Sequence, residues 1–270
     1  MHSEIVSLKE HLENAYVRNK KPVAFIDESY QSEREGHPFY VISATVFTAD
    51  QLDEYRQICI DIANGLWWHT TTAFQNRQNL DIQNFIRLLT SSEIANVGSI
   101  QFEILNNDLE HARRQCLIQI SRYLEVSGCG LIVIERRQNQ SARRSDTSLF
   151  SAAAGQAFIS KHLRLIQSTP SAEQLLWLPD ILSWSLRRHF AVNDSTWISL
   201  LAGELSLMDV SNEPIIHSET DFGSFSAKKK RSQLAVAKSC DPEKPIDSLN
   251  EGVSRSSASI MPQHYVLVNN

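Results

Sequence analysis

Four acidic residues lie where apolar segments of this chain begin or end: Asp27, Glu28, Glu135 and Asp180. The apolar run 23–26 leads into the first two, the run 131–134 ends in the third, and Pro179 precedes the fourth at the start of a helical pattern. Carboxylates at the ends of adjacent strands and at a helix start can converge above one edge of a sheet. Such a cluster repels itself unless a cation binds, and hard oxygen ligands suit Mg²⁺ or Mn²⁺. The pattern predicts a metal site made by Asp27, Glu135 and Asp180.

Each of these carboxylates also has a simpler structural interpretation. Asp180 would interact favourably with its helix dipole, and Asp27 would cap a turn. Glu135 would pair with one of the two arginines that follow it. Their order along the chain favours a common site over three separate roles. Glu28 faces the opposite side of the strand from Asp27, so we predict a supporting acid there and count all four as candidate catalytic residues.

Basic residues are clustered locally, although the formal net charge is -5. Two arginine pairs lie next to the candidate acids, Arg136-Arg137 after the second apolar run and Arg187-Arg188 near the end of the last predicted helix. We predict that these pairs hold the backbone of a nucleic acid. A solvated surface is the simpler interpretation of any single pair.

The segment Trp67-Trp68-His69 holds a second group of residues that could contact a substrate. His69 is a candidate substrate-binding residue, metal ligand or general base, and beside two tryptophans it is equally a packed histidine. The tryptophan rings could stack on unpaired bases, as they do in single-strand binders, or pack at a rim. The sequence leaves these interpretations open.

The segments that carry these residues alternate between strand and helix patterns. Strands are predicted at 23–27, 39–47, 100–105, 130–135 and 162–166. Helices are predicted at 4–17, 81–95, 107–126, 147–159 and about 178–190, with another after Asp50. Strands alternating with helices after an initial hairpin are typical of an α/β fold with a mixed sheet flanked by helices.

Composition divides the chain into three parts. Residues 1–21 are predicted to form an N-terminal helix, residues 22–223 the main domain, and residues 224–270 a polar, mobile C-terminal segment. The basic run 228–231 in the last part could grip a nucleic-acid backbone or serve only solubility.

The same composition excludes several classes of protein. An apolar share of 42% with 21% charged residues predicts a folded core rather than a disordered polyelectrolyte. The four cysteines lack the spacing of a zinc site, and no glycine-rich nucleotide-binding motif is present. No run is long and apolar enough to span a bilayer and no signal segment is recognisable, so we expect a cytoplasmic protein without membrane association.

The order of these motifs resembles the domain of unknown function 3800 family, an RNase H-like group of presumed metal-dependent nucleases. Residues 25–29, Phe-Ile-Asp-Glu-Ser, are similar to the family's opening motif, although Tyr30 stands where the family usually has glycine. Residues 132–137 resemble its middle motif, with glutamate in place of the commoner aspartate, and residues 168–188 resemble its closing one. The family's polar motif after the second strand has its nearest counterpart in residues 68–70. The resemblance covers roughly residues 22–190.

This resemblance implies an RNase H-like sheet and hydrolysis of phosphodiester bonds in DNA or RNA with Mg²⁺ or Mn²⁺. The expected partner is nucleic acid, and a protein partner or activator is left open. Tyr30 and the missing polar motif favour an alternative. In that alternative the chain is a catalytically silent RNase H-like module that binds nucleic acid or a protein partner within a defence or mobile-element system.

Overall fold

A computed structural model describes residues 2–102, 104–201 and 203–210 of the chain. Within these ranges six strands form one sheet: β1 (Val23–Gln31), β2 (Phe39–Phe47), β3 (Ala95–Phe102), β4 (Leu131–Glu135), β5 (Arg164–Ser168) and β6 (Leu205–Asp209). The strand order across the sheet is β5-β4-β1-β2-β3-β6. Because β2 pairs antiparallel with both β1 and β3 while the other neighbours are parallel, only β2 runs in the opposite direction.

Helices cover both faces of the sheet, which becomes the middle of three layers. The described helices are α1 (His2–Arg18), α2 (Leu52–Ile62), α3 (Thr70–Gln75), α4 (Asn79–Leu89), α5 (Leu109–Val126), α6 (Gln140–Gly155) and α7 (Trp177–Val192). One apolar cluster joins α1, α2, α3, α4 and α7 to one face, and another joins α5 and α6 to the opposite face. The predicted fold class, an α/β fold with a mixed sheet flanked by helices, is confirmed, and its RNase H-like character stays a prediction.

The central strand β1 carries the first two candidate acids. Its residues 23–26 are fully buried. Because alternate side chains of a strand point to opposite faces, Phe25 packs beneath α7 and Ile26 packs beneath α5. A strand that is buried on both faces has a continuous apolar sequence, which explains why this element could be predicted.

The boundary between α4 and β3 differs from the prediction. Apolar spacing predicted a helix to residue 95, but α4 ends at Leu89 and β3 already begins at Ala95. Asn96 anchors the start of the strand because its side-chain amide donates to the carbonyl oxygens of Leu89 and Glu204, at 2.7 and 3.0 Å. Polar residues and Gly98 interrupt the apolar alternation of this strand, so its first half gives no strand signal.

Three other elements were misplaced or missed, and one of them is α3, which lies in a segment with no predicted element. The helix predicted from residue 147 begins at Gln140, because the Asn139 side chain accepts a hydrogen bond from the Ser141 backbone N–H and caps it. The edge strand β6 was not predicted, although it buries Leu207 and Met208 on opposite faces of the sheet. A strand this short carries little periodic signal.

The N-terminal helix α1 contributes Leu12 and Ala15 to the apolar cluster that also contains α7. The predicted division into residues 1–21, 22–223 and 224–270 stays a prediction, and the last of these parts, with its basic run, lies outside the described residues. Within the described part of the chain, no helix combines the length and apolarity needed to cross a membrane.

A buried arginine joins β1 to the two helices on the face covered by α5 and α6. The Arg113 side chain of α5 is 1% exposed. Its Nε donates to Glu28 Oε2 at 2.7 Å, and its two terminal nitrogens both donate to the carboxylate of Asp146 on α6. A charge this deeply buried is tolerated only when charged and hydrogen-bonding partners surround it.

We predict that Arg113→Ala lowers the free energy of unfolding by about 3–5 kcal/mol, because Asp146 would stay buried without its main partner. Urea denaturation followed by circular dichroism measures this loss. Arg114→Ala is the matched control, since the Arg114 side chain is 48% exposed and its pair with Glu110 contributes at most about 1 kcal/mol. Equal losses in the two variants would contradict the prediction.

Candidate active site

Asp27 and Glu135 lie side by side where the pairing of β1 with β4 ends. The two strands are parallel and pair Phe25 with Val133, so Asp27 and Glu135 are neighbours two residues further on. Phe25 and Val133 belong to the apolar cluster beneath α7, and side chains two positions apart on a strand share a face. Both carboxyl groups therefore lie on the α7 side of the sheet.

Helix α7 brings Asp180 to the same place. Ser183, one turn after Asp180, donates from Oγ to the backbone carbonyl oxygen of Asp27 at 3.1 Å. Residues three positions apart lie on the same side of a helix, so this bond fixes the side of α7 that faces β1. Pro179 lies in the first turn, where its missing N–H leaves no hydrogen bond unmade.

Thr70, the first residue of α3, holds the carboxylate of Asp180. Its backbone N–H and its Oγ1 both donate to Asp180 Oδ2, at 2.9 and 2.8 Å. The indole Nε1 of Trp68 donates to Thr70 Oγ1 at 3.1 Å, which leaves the hydroxyl proton directed toward the carboxylate. Asp180 Oδ1 accepts no hydrogen bond from any residue that the structure describes.

The acidic cluster, formed by Asp27, Glu135 and Asp180, has raised pKa values. Burial, followed by the charges of Glu135 and Asp180, raises the pKa of Asp27 well above its usual value. Burial and the charge of Asp180 raise the pKa of Glu135 to about 7. Burial also raises the pKa of Asp180, although the hydrogen bonds from Thr70 oppose this shift. The side chain of Asp27 partly opposes the rise in the pKa of Glu135.

The acidic cluster has the donor chemistry of a metal site. Hard oxygen donors without a cationic partner suit Mg²⁺ or Mn²⁺, and no ion pair within the described ranges includes a member of the cluster. In those ranges, no three His, Cys, Asp or Glu side chains are placed to hold a metal ion together. The donors suit the predicted cofactor in their chemistry but not in their placement, and the binding of a metal stays a prediction.

Glu28 lies on the opposite face from the cluster. It accepts the hydrogen bond from Arg113 Nε and also contacts the hydroxyl of Tyr40. Its negative charge is therefore balanced by a buried arginine, and it raises the pKa of Asp27 less than Glu135 and Asp180 do. The role of Glu28 as a supporting acid stays a prediction.

A pocket of about 360 Å³ opens over the acidic cluster. Its lining includes all four candidate acids together with His69, Arg136 and Arg137. Arg136 pairs with Glu4 of α1 at 2.7 Å, and Arg137 pairs with Glu110 of α5 at 3.1 Å. Two predicted substrate-binding arginines thus line the pocket, and each already has an acidic partner.

The other predicted substrate-binding residues are placed differently. His69 lines the pocket and caps α3, with its Nδ1 accepting from the Thr72 backbone N–H at 3.4 Å. Arg187 donates to the backbone of β1 at 3.1 Å, and Arg188 pairs with Asp194 at 2.7 Å. Neither Arg187 nor Arg188 is among the residues that line the pocket.

The contacts of Thr70 and Arg113 were not predicted. Within residues 68–70 the predicted functional residue was the histidine, yet Thr70 is the residue that binds an acid of the cluster. Arg113 has a recognisable signal, because it lies next to Ala112 and at helical spacing from Cys116, both buried. An arginine at such an apolar position of a helix indicates a buried acidic partner.

Known proteins show little similarity to this chain. No protein-family model and no curated protein matches the chain. Among solved structures, ribonuclease H2 from Pyrococcus horikoshii OT3 is similar with a TM-score of 0.33 and 11% sequence identity. The match covers 79% of this chain and 99% of that one. A structural similarity this weak does not indicate an activity.

We predict that the metal-free protein loses stability as the pH rises from about 4.5 to about 7. The folded protein keeps the Glu135 proton up to about 7, whereas the unfolded chain releases it near the usual value of 4.5. The folded state therefore binds more protons in this window, so the stabilisation is complete below it and is lost as the pH rises through about 7. The loss corresponds to about 3 kcal/mol.

Urea denaturation in a chelating buffer across this pH window measures the effect. The matched variant is Glu135→Gln, which keeps the shape of the side chain but cannot ionise. The loss of stability with rising pH should be smaller in the variant than in the wild type. Identical pH profiles for the two proteins would contradict the prediction.

Proposed function

We propose that this protein is a nuclease that hydrolyses phosphodiester bonds with a divalent metal. The observation that carries the proposal is the acidic cluster itself, with Asp27 and Glu135 at the adjacent ends of two parallel strands and Asp180 held by Thr70 above the same face of the sheet. Perturbed carboxyl groups that converge in a pocket are typical of functional sites. The order of these acids along the chain also supports the resemblance to the domain of unknown function 3800 family, which is part of the proposal.

The residues of the pocket have separate roles in this proposal. Asp27, Glu135 and Asp180 would hold Mg²⁺ or Mn²⁺, which when bound activates a water molecule and stabilises the leaving oxygen. Thr70 keeps one oxygen of Asp180 engaged and so orients the other toward a ligand. Ser183 holds α7 against the backbone of Asp27 and so maintains the spacing between the two elements.

The arginines of the pocket would contact the substrate backbone. Arg136 and Arg137 line the pocket, and guanidinium groups bind phosphate oxygens in a bidentate manner. Their present partners, Glu4 and Glu110, have half-exposed side chains, so water screens these ion pairs and a phosphate can compete for the arginines. Nucleic acid is the partner that these contacts suit.

A catalytically silent module of the same fold is the second candidate. It is favoured by the arrangement of the cluster, since no three ligands within the described residues are placed to hold an ion together. Such a module would bind nucleic acid or a protein partner through the same pocket. The two candidates differ in whether metal-dependent cleavage occurs.

We predict that the protein cleaves labelled single- or double-stranded DNA or RNA in Mn²⁺ or Mg²⁺, and that Asp27→Asn abolishes cleavage. The amide keeps the shape of the side chain but removes the negative charge that a divalent ion requires. Gel electrophoresis of the products measures cleavage and identifies the substrate. Absence of cleavage by the wild type on all four substrates would favour the silent module.

Asp53→Asn is the matched control for this assay. Asp53 lies on α2, and its side chain is 99% exposed. The control variant should cleave like the wild type. Cleavage that persists in Asp27→Asn would place the active site elsewhere.

We predict that Thr70→Val weakens Mn²⁺ binding by about tenfold, as is typical when a group that orients a metal ligand is removed. Valine keeps the shape of threonine and the backbone N–H, but it removes the hydroxyl that donates to Asp180. Isothermal titration calorimetry with Mn²⁺ measures the change. Thr71→Val is the control, because Thr71 also lines the pocket but does not hold Asp180. Equal affinities in the two variants would contradict the role of Thr70.

A further inference from the structure

Two adjacent tryptophans between α2 and α3 have opposite environments. Trp68 is 3% exposed, and its ring packs on Phe85 with centroids 4.5 Å apart. Trp67 is 57% exposed, and the preceding Leu66 is also exposed. Burial explains the presence of Trp68, whereas it does not explain a large apolar ring on the surface at Trp67.

The exposed ring is nevertheless held in place. Trp67 stacks on His69 with ring centroids 5.7 Å apart and an angle of 4° between the planes. His69 is fixed in turn, because its Nδ1 lies 3.1 Å from the Thr72 hydroxyl and caps α3. The Trp67–His69 stack is therefore a fixed aromatic surface, of the offset parallel kind that aromatic rings prefer.

This stack lies at the rim of the pocket over the acidic cluster. His69 lines that pocket, and the next residue, Thr70, binds Asp180. On the same pocket, Arg136 and Arg137 supply positive charge. An aromatic surface next to arginines is the combination that binds single-stranded nucleic acids, in which bases stack on rings while phosphates contact cations.

A second exposed ring lines the same pocket. Tyr30 is 49% exposed, and its ring lies parallel to that of Tyr40, with centroids 5.6 Å apart and an angle of 6° between the planes. One ring of each parallel pair, His69 and Tyr30, therefore lines the pocket. Rings held in this way are suited to stacking with flat, unstacked bases.

We propose that an unpaired nucleobase stacks on Trp67, so that the substrate is a single strand or has an unpaired segment at the pocket. The inference rests on the proposed function, because it takes the pocket as the place where the nucleic-acid backbone binds. In a duplex each base is covered by its neighbours, and only an unstacked base presents a free face to an aromatic ring.

The test compares strands that differ only in their bases. Fluorescence anisotropy in a chelating buffer measures binding of a labelled thymidine strand and of an abasic strand of equal length and charge. The wild type should prefer the thymidine strand, and Trp67→Ala should reduce that preference by about 5- to 100-fold. Trp67→Phe keeps a ring and should retain most of the preference. A matching duplex should bind more weakly than the thymidine strand.

Phe158→Ala is the control for loss of an exposed aromatic ring. Phe158 is 47% exposed and lies before β5, at the end of the sheet away from the acidic cluster. This variant should bind both strands like the wild type. A preference that persists in Trp67→Ala, or an equal loss in Phe158→Ala, would overturn the proposal. Equal binding of both strands by the wild type would also overturn it and would favour a protein partner at this surface.

The result of the binding assay can be interpreted separately from that of the cleavage assay, because binding of a strand in a chelating buffer requires no hydrolysis. Cleavage together with an unchanged base preference in Trp67→Ala would overturn this inference and leave the nuclease standing. A lost preference in Trp67→Ala without cleavage by the wild type would overturn the nuclease and retain the base-binding surface.

Discussion

Three carboxyl groups that converge without an ion pair to any described residue are the constraint on which the rest of this structure depends. An ionised carboxylate at such a place costs several kcal/mol, and in the absence of a cation the raised pKa values keep protons on the cluster. Only a rigid framework holds such groups together. Residues 23–26 of β1 are fully buried, and the first turns of α7 are buried almost throughout. The core thus fixes the backbone at Asp27 and Asp180, and Thr70 fixes one carboxylate.

The alternation of β1 separates its two consecutive acids. Glu28 points to the face of α5 and is balanced by Arg113, whereas Asp27 points to the face of α7, where the charges of Glu135 and Asp180 act on it. Glu28 therefore follows the usual rule that a buried charge is paired, whereas Asp27 departs from this rule. Departures from such rules concentrate at functional sites, and this asymmetry supports the proposal that the α7 face is the functional one.

Strong local patterns made the acids and the fold class predictable from the sequence. Asp27 and Glu135 follow strands that are buried on both faces, and such strands have continuous apolar sequences. The edge strand β6 and the early start of α6 have no comparable pattern, since one is short and the other depends on a cap at Asn139. The bond from Thr70 to Asp180 could not be predicted, because it joins residues that are distant in sequence and depends on how two helices pack.

The parallel pairing of β1 with β4 also has a consequence for the order of events during synthesis. The hairpin of β1 and β2 is local in sequence and can form early, but β4 reaches β1 only after four helices and a strand have been made. Closing a loop of this length costs conformational entropy, and this cost arises before the contacts that offset it have formed. A growing chain therefore exposes Asp27 long before Glu135 and Asp180 can join it. The pocket comes into existence only when α7 has left the ribosome, and a truncated chain that ends before α7 contains none.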